Sequence, residues 1–144
     1  MRTLTDEEIV DVLTGNGIGV LALSGPDERP PYPIPVAYGY DPERDLFALH
    51  LEGDAGSEKF RRLERDSGVG FSVHEETEHR TVWRSVVVRG ELVESEYATA
   101  EPALARLAEN TQFAPNPIDW SDSGSIQPYE LRAEAWSGRE FRTG

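Results

Sequence analysis

The sequence has no cysteine, a single lysine, and no apolar run long enough to span a bilayer. The missing cysteines exclude disulfide frameworks, thiolate metal sites and cysteine nucleophiles. The N-terminal stretch MRTLTDEEIV has no apolar core of the kind a signal peptide needs, so the expectation is a cytoplasmic protein. Cations are also scarce: 14 basic residues face 27 acidic ones, for a net charge of -13. Such a surface repels phosphate polymers, which argues against nucleic acids and anionic membranes as partners. Thirteen of the basic residues are arginine, and Lys59 is the only lysine. High-GC coding replaces lysine with arginine but does not explain the excess of acid. A high-salt cytoplasm explains both, so the composition points to a halophile, an archaeon by expectation.

Familiar catalytic patterns are missing as well. There is no Gly-x-Ser-x-Gly elbow, no Walker loop and no dinucleotide fingerprint. Gly15, Gly17 and Gly19 alternate, but they follow a predicted helix instead of opening one. Ser85 and His50 have no placed third member for a triad. HEETEH, residues 74–79, could bind a metal, but its histidines are five apart and sit on a predicted hairpin tip.

What remains is 144 residues with 38% hydrophobic content, enough for one domain with one core, residues 1–144. Thr5 and Glu8 form a capping box for a first helix whose apolar face is Ile9, Val12 and Leu13, and Gly15 and Gly17 stop it. A strand at 18–24 ends in the turn Gly25-Pro26-Asp27. Residues 30–40, PPYPIPVAYGY, are extended. The prolines confine the part up to Pro35 to an edge or a bulge, because proline cannot donate to a ladder. LFALHL at 46–51 completes three consecutive antiparallel strands. A short helix follows, with Ser57 as N-cap and Phe60 and Leu63 facing inward. Strands are expected at 68–74 and 81–94, the second with a bend at Gly90. A third helix starts near Thr99 with Pro102 in its first turn and Leu104, Leu107 and Ala108 facing the core. A loop at 113–125 leads to a last strand, 129–136, ended by Ser137-Gly138. Six mostly antiparallel strands and three short helices predict an α+β fold, a six-stranded antiparallel split β-barrel with flanking helices. Small barrels are filled by their own side chains, so a ligand must lie on a rim or between subunits.

Two stretches carry chemistry. In AGSEK, residues 55–59, Gly56 and Ser57 stand where a loop becomes a helix, and Lys59 lies in the same first turn. Backbone N–H groups, the helix dipole and an ammonium together suit a phosphate. In TVWRSVVVRG, residues 81–90, period 2 places Trp83, Ser85 and Val87 on one face, with Arg84, Val86 and Val88 on the other.

The Pro-bounded strand, LFALHL, AGSEK and WRSVVVRG, in that order, resemble the pyridoxamine 5′-phosphate oxidase-like family of FMN-binding split barrels. The resemblance is nearest to its small flavin-nucleotide-binding branch, which includes the nitroimidazole-resistance proteins. It runs from the capped first helix through Gly90. It implies a homodimer with FMN at the subunit interface. Pro35, Val36 and Ala37 resemble the strand beside the isoalloxazine. His50 and Leu51 resemble the stretch facing the ribityl-phosphate side, and Gly56 and Lys59 the phosphate turn. Trp83, Arg84, Ser85 and Val86 resemble the strand completing the pocket. Leu51, Glu52, Gly53 and Asp54 depart from the family's small or hydroxylated residues after the histidine, and two of them are carboxylates near the phosphate. The resemblance implies an oxidoreductase passing two electrons from a nicotinamide or small-molecule donor through FMN to an acceptor. The alternatives are a non-catalytic flavin-binding or sensing module, or the same barrel holding deazaflavin or haem. Oxidation of pyridoxamine phosphate itself is disfavoured, since no further basic cluster for a second phosphate is evident in the chain.

Overall fold

The computed structural model describes residues 1–25, 29–52, 56–110 and 126–143. In chain order the elements are β1 (Arg2–Thr3), α1 (Asp6–Thr14), β2 (Ile18–Leu23), β3 (Tyr32–Asp41), β4 (Leu46–Glu52), α2 (Glu58–Arg65), β5 (Gly68–Thr77), β6 (Val82–Glu94), α3 (Tyr97–Asn110) and β7 (Ile126–Arg142). The strands pair antiparallel in the order β1-β7-β4-β3-β2-β5-β6, and β6 pairs back onto β7. Six strands therefore close a barrel, and β1 is a seventh, short strand on the end of β7. This is the expected α+β split barrel.

Alternation fills the interior. Leu21, Tyr38, Phe47, Leu49, Phe71, Val73, Val86, Val88 and Leu131 point inward and are buried. Helix α1 packs Ile9, Val12 and Leu13 onto this core, and its capping box is present as expected: Glu8 N donates to Thr5 Oγ1 and Thr5 N to Glu8 Oε1. The Tyr38 hydroxyl donates to the Leu13 carbonyl at 2.8 Å, tying helix to barrel.

Helix α3 lies on the outer face of β3 and β4, where Leu46, Ala48, Ala100, Ala103, Leu104 and Leu107 form a second apolar cluster. Gly39 permits this approach. A Cβ there would stand 1.9 Å from the Ala103 carbonyl oxygen and 2.5 Å from the Leu107 nitrogen.

Two expectations change. Helix α3 begins at Tyr97, two residues before Thr99, so Pro102 lies inside it and not in its first turn. The terminal strand does not stop at Ser137-Gly138 but runs to Arg142. There Gly138 is needed for closeness, since a Cβ would meet Leu4 Cδ1 at 2.8 Å. Glu140, just beyond, is buried and accepts from Arg2, Arg84 and Arg142 at 3.2, 2.9 and 3.1 Å, which gives the extended strand an ionic anchor. The bend at Gly90 is present as a register shift against β7. Pro26 and Asp27 of the first turn, Gly53 to Ala55, the 113–125 loop and the side chain of Ala108 lie outside the described residues.

Candidate functional site

The proline pattern in β3 determines where the cleft forms. Tyr32 to Ala37 pair with β2 on one side, but pairing with β4 covers only Ala37 to Asp41. From Tyr32 to Val36 this edge of the strand is unpaired among the described residues, as the prolines at 33 and 35 predict. Strand β4 leaves the sheet after Glu52, and the chain returns as α2. The gap between the free edge and the start of α2 is a cavity of about 360 Å³ lined by Tyr32, Ile34, Pro35, Val36, Ala37, His50, Glu52, Ser57, Glu58 and Lys59.

The cavity unites Pro35, Val36, Ala37, His50 and Lys59 from three separate sequence stretches. Ala37 and His50 are cross-strand partners. The backbone at Gly56 adjoins the cavity residue Ser57, and a Cβ at Gly56 would meet nothing within 4 Å among the described residues. Ser57 is the N-cap of α2, in extended conformation, but makes no side-chain cap bond. Its buried Oγ has no hydrogen-bond partner among the described residues. A hydroxyl, the first N–H groups of a helix and the Lys59 ammonium thus converge at one end of the cleft, a donor set suited to an anion. Two carboxylates counter it. Glu52 is exposed at the cavity wall, whereas Glu58 is engaged by Arg62 at 3.0 Å.

His50 is half-buried. Its pKa lies below the ordinary value, first because burial disfavours the imidazolium, against an opposing pull from Glu52 and with a further push from Lys59. A neutral ring offers one donor and one acceptor without adding charge.

Other expected site residues are placed elsewhere. Leu51 and Val86 have side chains in the barrel core, at 1% and 0% exposure, so only their backbones could meet a ligand. Trp83 and Ser85 are on the outer face of β6, as the alternation predicts. The row Pro35–Val20–Ser72–Val87 shows β6 to be three strands from β3, about 14 Å around the sheet. Arg84 points to the Glu140 cluster and also reaches Glu8 at 3.5 Å. None of these three lines the cavity. His50 and Ser85 face β7 at Pro128 and Arg139, far apart along that strand, so they form no catalytic pair. Of the HEETEH segment, His74 packs edge-on to Trp83 at 6.1 Å, and Glu78 and His79 occupy a turn with positive φ. No group of three or more His, Asp or Glu side chains placed to hold a metal occurs among the described residues.

Sequence reasoning missed two features. Tyr32 and Ile34 join the cavity because the free edge presents consecutive residues, which a period-2 reading assigns to opposite faces. The expected lack of a further basic cluster also does not hold. Arg29, Arg61, Arg62 and Arg65 line a second cavity of about 130 Å³, with Glu58 shared between the two.

The outer sheet face beside the cleft is apolar. Ile18, Val20, Trp83, Val87 and Phe141 are all exposed there, with Ile18 opposite Ala37 and Trp83 opposite Phe141. Among the described residues no helix is long and apolar enough to cross a membrane.

Comparison with known proteins agrees with this geometry. An FAD-binding protein from Mesorhizobium loti superposes with a TM-score of 0.74 at 25% identity, over 99% of this chain and 97% of that one. A protein from Bacteroides thetaiotaomicron, provisionally named for 5-nitroimidazole antibiotic resistance, gives 0.70 at 16% identity over 97% and 88%. A heme-binding protein from Mycobacterium smegmatis gives 0.73 at 18% identity; it covers 99% of this chain, which spans only 59% of that longer protein. Among curated proteins, none matches the sequence. The sequence model for Pyridoxamine 5′-phosphate oxidase matches residues 5–140, nearly the whole barrel, and the chain belongs to that family.

Proposed function

We propose that this protein binds a flavin nucleotide, FMN or the FMN half of a longer flavin, in the cleft between β3 and α2, and uses it as an oxidoreductase. The carrying observation is the convergence of Ser57 Oγ, the N-terminus of α2 and Lys59 at one end of a cavity whose other wall is the free edge of β3. The phosphate would take the Ser57 hydroxyl and the Lys59 ammonium. The ring would lie along Pro35, Val36 and Ala37, where unpaired backbone groups can hydrogen-bond its polar edge. His50, neutral near pH 7, can bond without adding charge beside Lys59. The flavin, when bound, supplies the two-electron chemistry, and the protein supplies binding, orientation and electrostatics.

A cavity of about 360 Å³ lies at the low end for a cofactor site and is open on one side. A second copy of the chain is proposed to close it, seated on the apolar face that runs from Ile18 and Val20 to Val87, Trp83 and Phe141. In that arrangement Trp83 and Ser85 of each copy become available to the shared interface. A haem reading has one supporting observation, the half-buried His50 in the cleft, together with the heme-binding relative.

The absorption spectrum of the purified protein, with mass spectrometry of what it releases on denaturation, tests the proposal. A flavin spectrum with FMN or a longer flavin nucleotide released supports it, and a Soret band assigns the cleft to haem. Turnover of NAD(P)H with a nitroaromatic or quinone acceptor distinguishes an oxidoreductase from a module that only binds flavin.

A further inference from the structure

The arginines of α2 continue the cleft beyond the phosphate end. Arg29, Arg61, Arg62 and Arg65 line the second cavity, and Glu58 is the one acidic lining residue among the described residues. Glu58 belongs to both cavities, so the two are neighbours across a single side chain. A further contact links them: the Arg62 guanidinium lies 5.2 Å above the ring of Tyr32, which lines the first cavity.

This basic cleft is unusual for the molecule. The sequence has 27 acids against 14 bases, and Arg2, Arg44, Arg84, Arg106, Arg132 and Arg142 each meet a carboxylate, while Arg80, Arg89 and Arg139 form no ion pair among the described residues; what distinguishes this cleft is that four arginines line one cavity. Arg29, Arg61 and Arg65 form no ion pair among the described residues. Arg62, 8% exposed, is built in: it donates to the carbonyls of Ser24 and Pro30 at 3.1 and 3.2 Å and to Glu58 at 3.0 Å. It therefore neutralises Glu58 and braces the helix while the other three face the cavity. Arg61 and Arg65 are one turn apart on the same helix face, so their forks can address one ligand. The Ser57 cap and Arg61 are also about one turn apart, about 6 Å along the axis, a span within reach of two linked phosphates.

We infer that the arginine cleft is a second phosphate subsite, which takes the distal phosphate of a flavin dinucleotide whose proximal phosphate sits on Ser57 and Lys59. This rests on the flavin reading above and names which flavin nucleotide that site prefers. The chemistry is bidentate arginine recognition of a pyrophosphate, in a protein whose overall charge otherwise repels it.

The test is titration of apo-protein with riboflavin, FMN and FAD, followed by flavin fluorescence, for the wild type and for R61A/R65A. Both substituted side chains are exposed, and circular dichroism checks that the fold is kept. The expected result is FAD binding about tenfold or more tighter than FMN in the wild type, the effect of at least one charge-assisted contact. The double variant should lose that preference and keep its affinity for FMN. Equal affinities for FMN and FAD in the wild type would overturn the subsite while leaving the flavin proposal intact. So would equal weakening of both in the variant, which marks a diffuse charge effect. If FMN and FAD bind alike while the FMN-loaded protein binds NADPH in an Arg61- and Arg65-dependent way, the cleft belongs to a separately bound ligand and the inference fails. If no flavin binds, the flavin reading itself is what fails.

Discussion

Removing the Lys59 ammonium should weaken FMN and leave riboflavin unaffected. Lys59 lines the cavity on the first turn of α2 and lies half-exposed, 5.7 Å from the ring centre of its neighbour Phe60. Two unit charges 4 Å apart attract by about 1 kcal/mol in water and about 4 kcal/mol at an effective dielectric of 20. A half-exposed site belongs nearer the first figure, and a charge-assisted hydrogen bond there contributes about 1–2 kcal/mol. Lys59→Ala should therefore raise the Kd for FMN about five- to thirtyfold. Riboflavin has no phosphate and should bind both proteins alike, so the difference between the two ligands isolates the contact. The same electrostatics require the opposite sign at Glu52, the exposed carboxylate in the same cavity: Glu52→Gln should tighten FMN and not riboflavin. Isothermal titration at low and high salt measures both, and salt should shrink each effect. An unchanged FMN affinity in Lys59→Ala, or an equal loss for riboflavin, would refute the assignment of this end of the cleft to phosphate.

Other predictions concern the scaffold. Gly39→Ala must push α3 off β3, because the clash is with backbone atoms at 1.9 and 2.5 Å; we expect a loss of about 3 kcal/mol in urea unfolding, toward the upper end for overpacking, and a loss under 1 kcal/mol would contradict the packing. Glu140 has its pKa lowered to about 2, first by the hydrogen bond from Arg2 and then by Arg84 and Arg142, with burial opposing. A depressed folded pKa means stabilisation that is complete above the unfolded value near 4.5 and lost as pH falls toward 2. An acid-unfolding curve should therefore descend across that window, and Glu140→Gln should be less stable at pH 7 with a flatter acid limb. Val87→Glu on the exposed sheet face should convert dimer to monomer in sedimentation while monomer secondary structure persists; a wild type that is already monomeric would sink the interface proposal. Raising salt from 0.1 to 1 M shortens the screening length from about 10 to about 3 Å and should raise the melting temperature of this -13 protein, the response expected of a halophile.

The sequence is informative where backbone chemistry is local. The capping box at Thr5 and Glu8, the bulge at Gly90 and the proline-marked edge of β3 each follow from a residue's own bonding capacity, and each is present. That edge, with His50 and Lys59, also marks half of the cleft. What escaped the sequence depends on distant partners. Ser137-Gly138 reads as a terminator, yet Gly138 is a spacer for Leu4 and Ile9, and the strand continues because β1 and Glu140 lie beyond it. Pro102 reads as a helix start, but burial of Ala100, Ala103 and Leu104 against β4 carries the helix around it. The arginine cleft needs Arg29 beside residues more than thirty positions later, and no pattern along the chain announces that meeting.

A crystal structure of the protein grown with FMN tests the central claim most directly. We predict two copies with a flavin between them, its phosphate within hydrogen-bond distance of Ser57 Oγ and Lys59 Nζ and its ring beside Pro35 to Ala37. Electron density for the flavin away from the β3–α2 cleft, or a cleft filled by the partner's side chains, would contradict it.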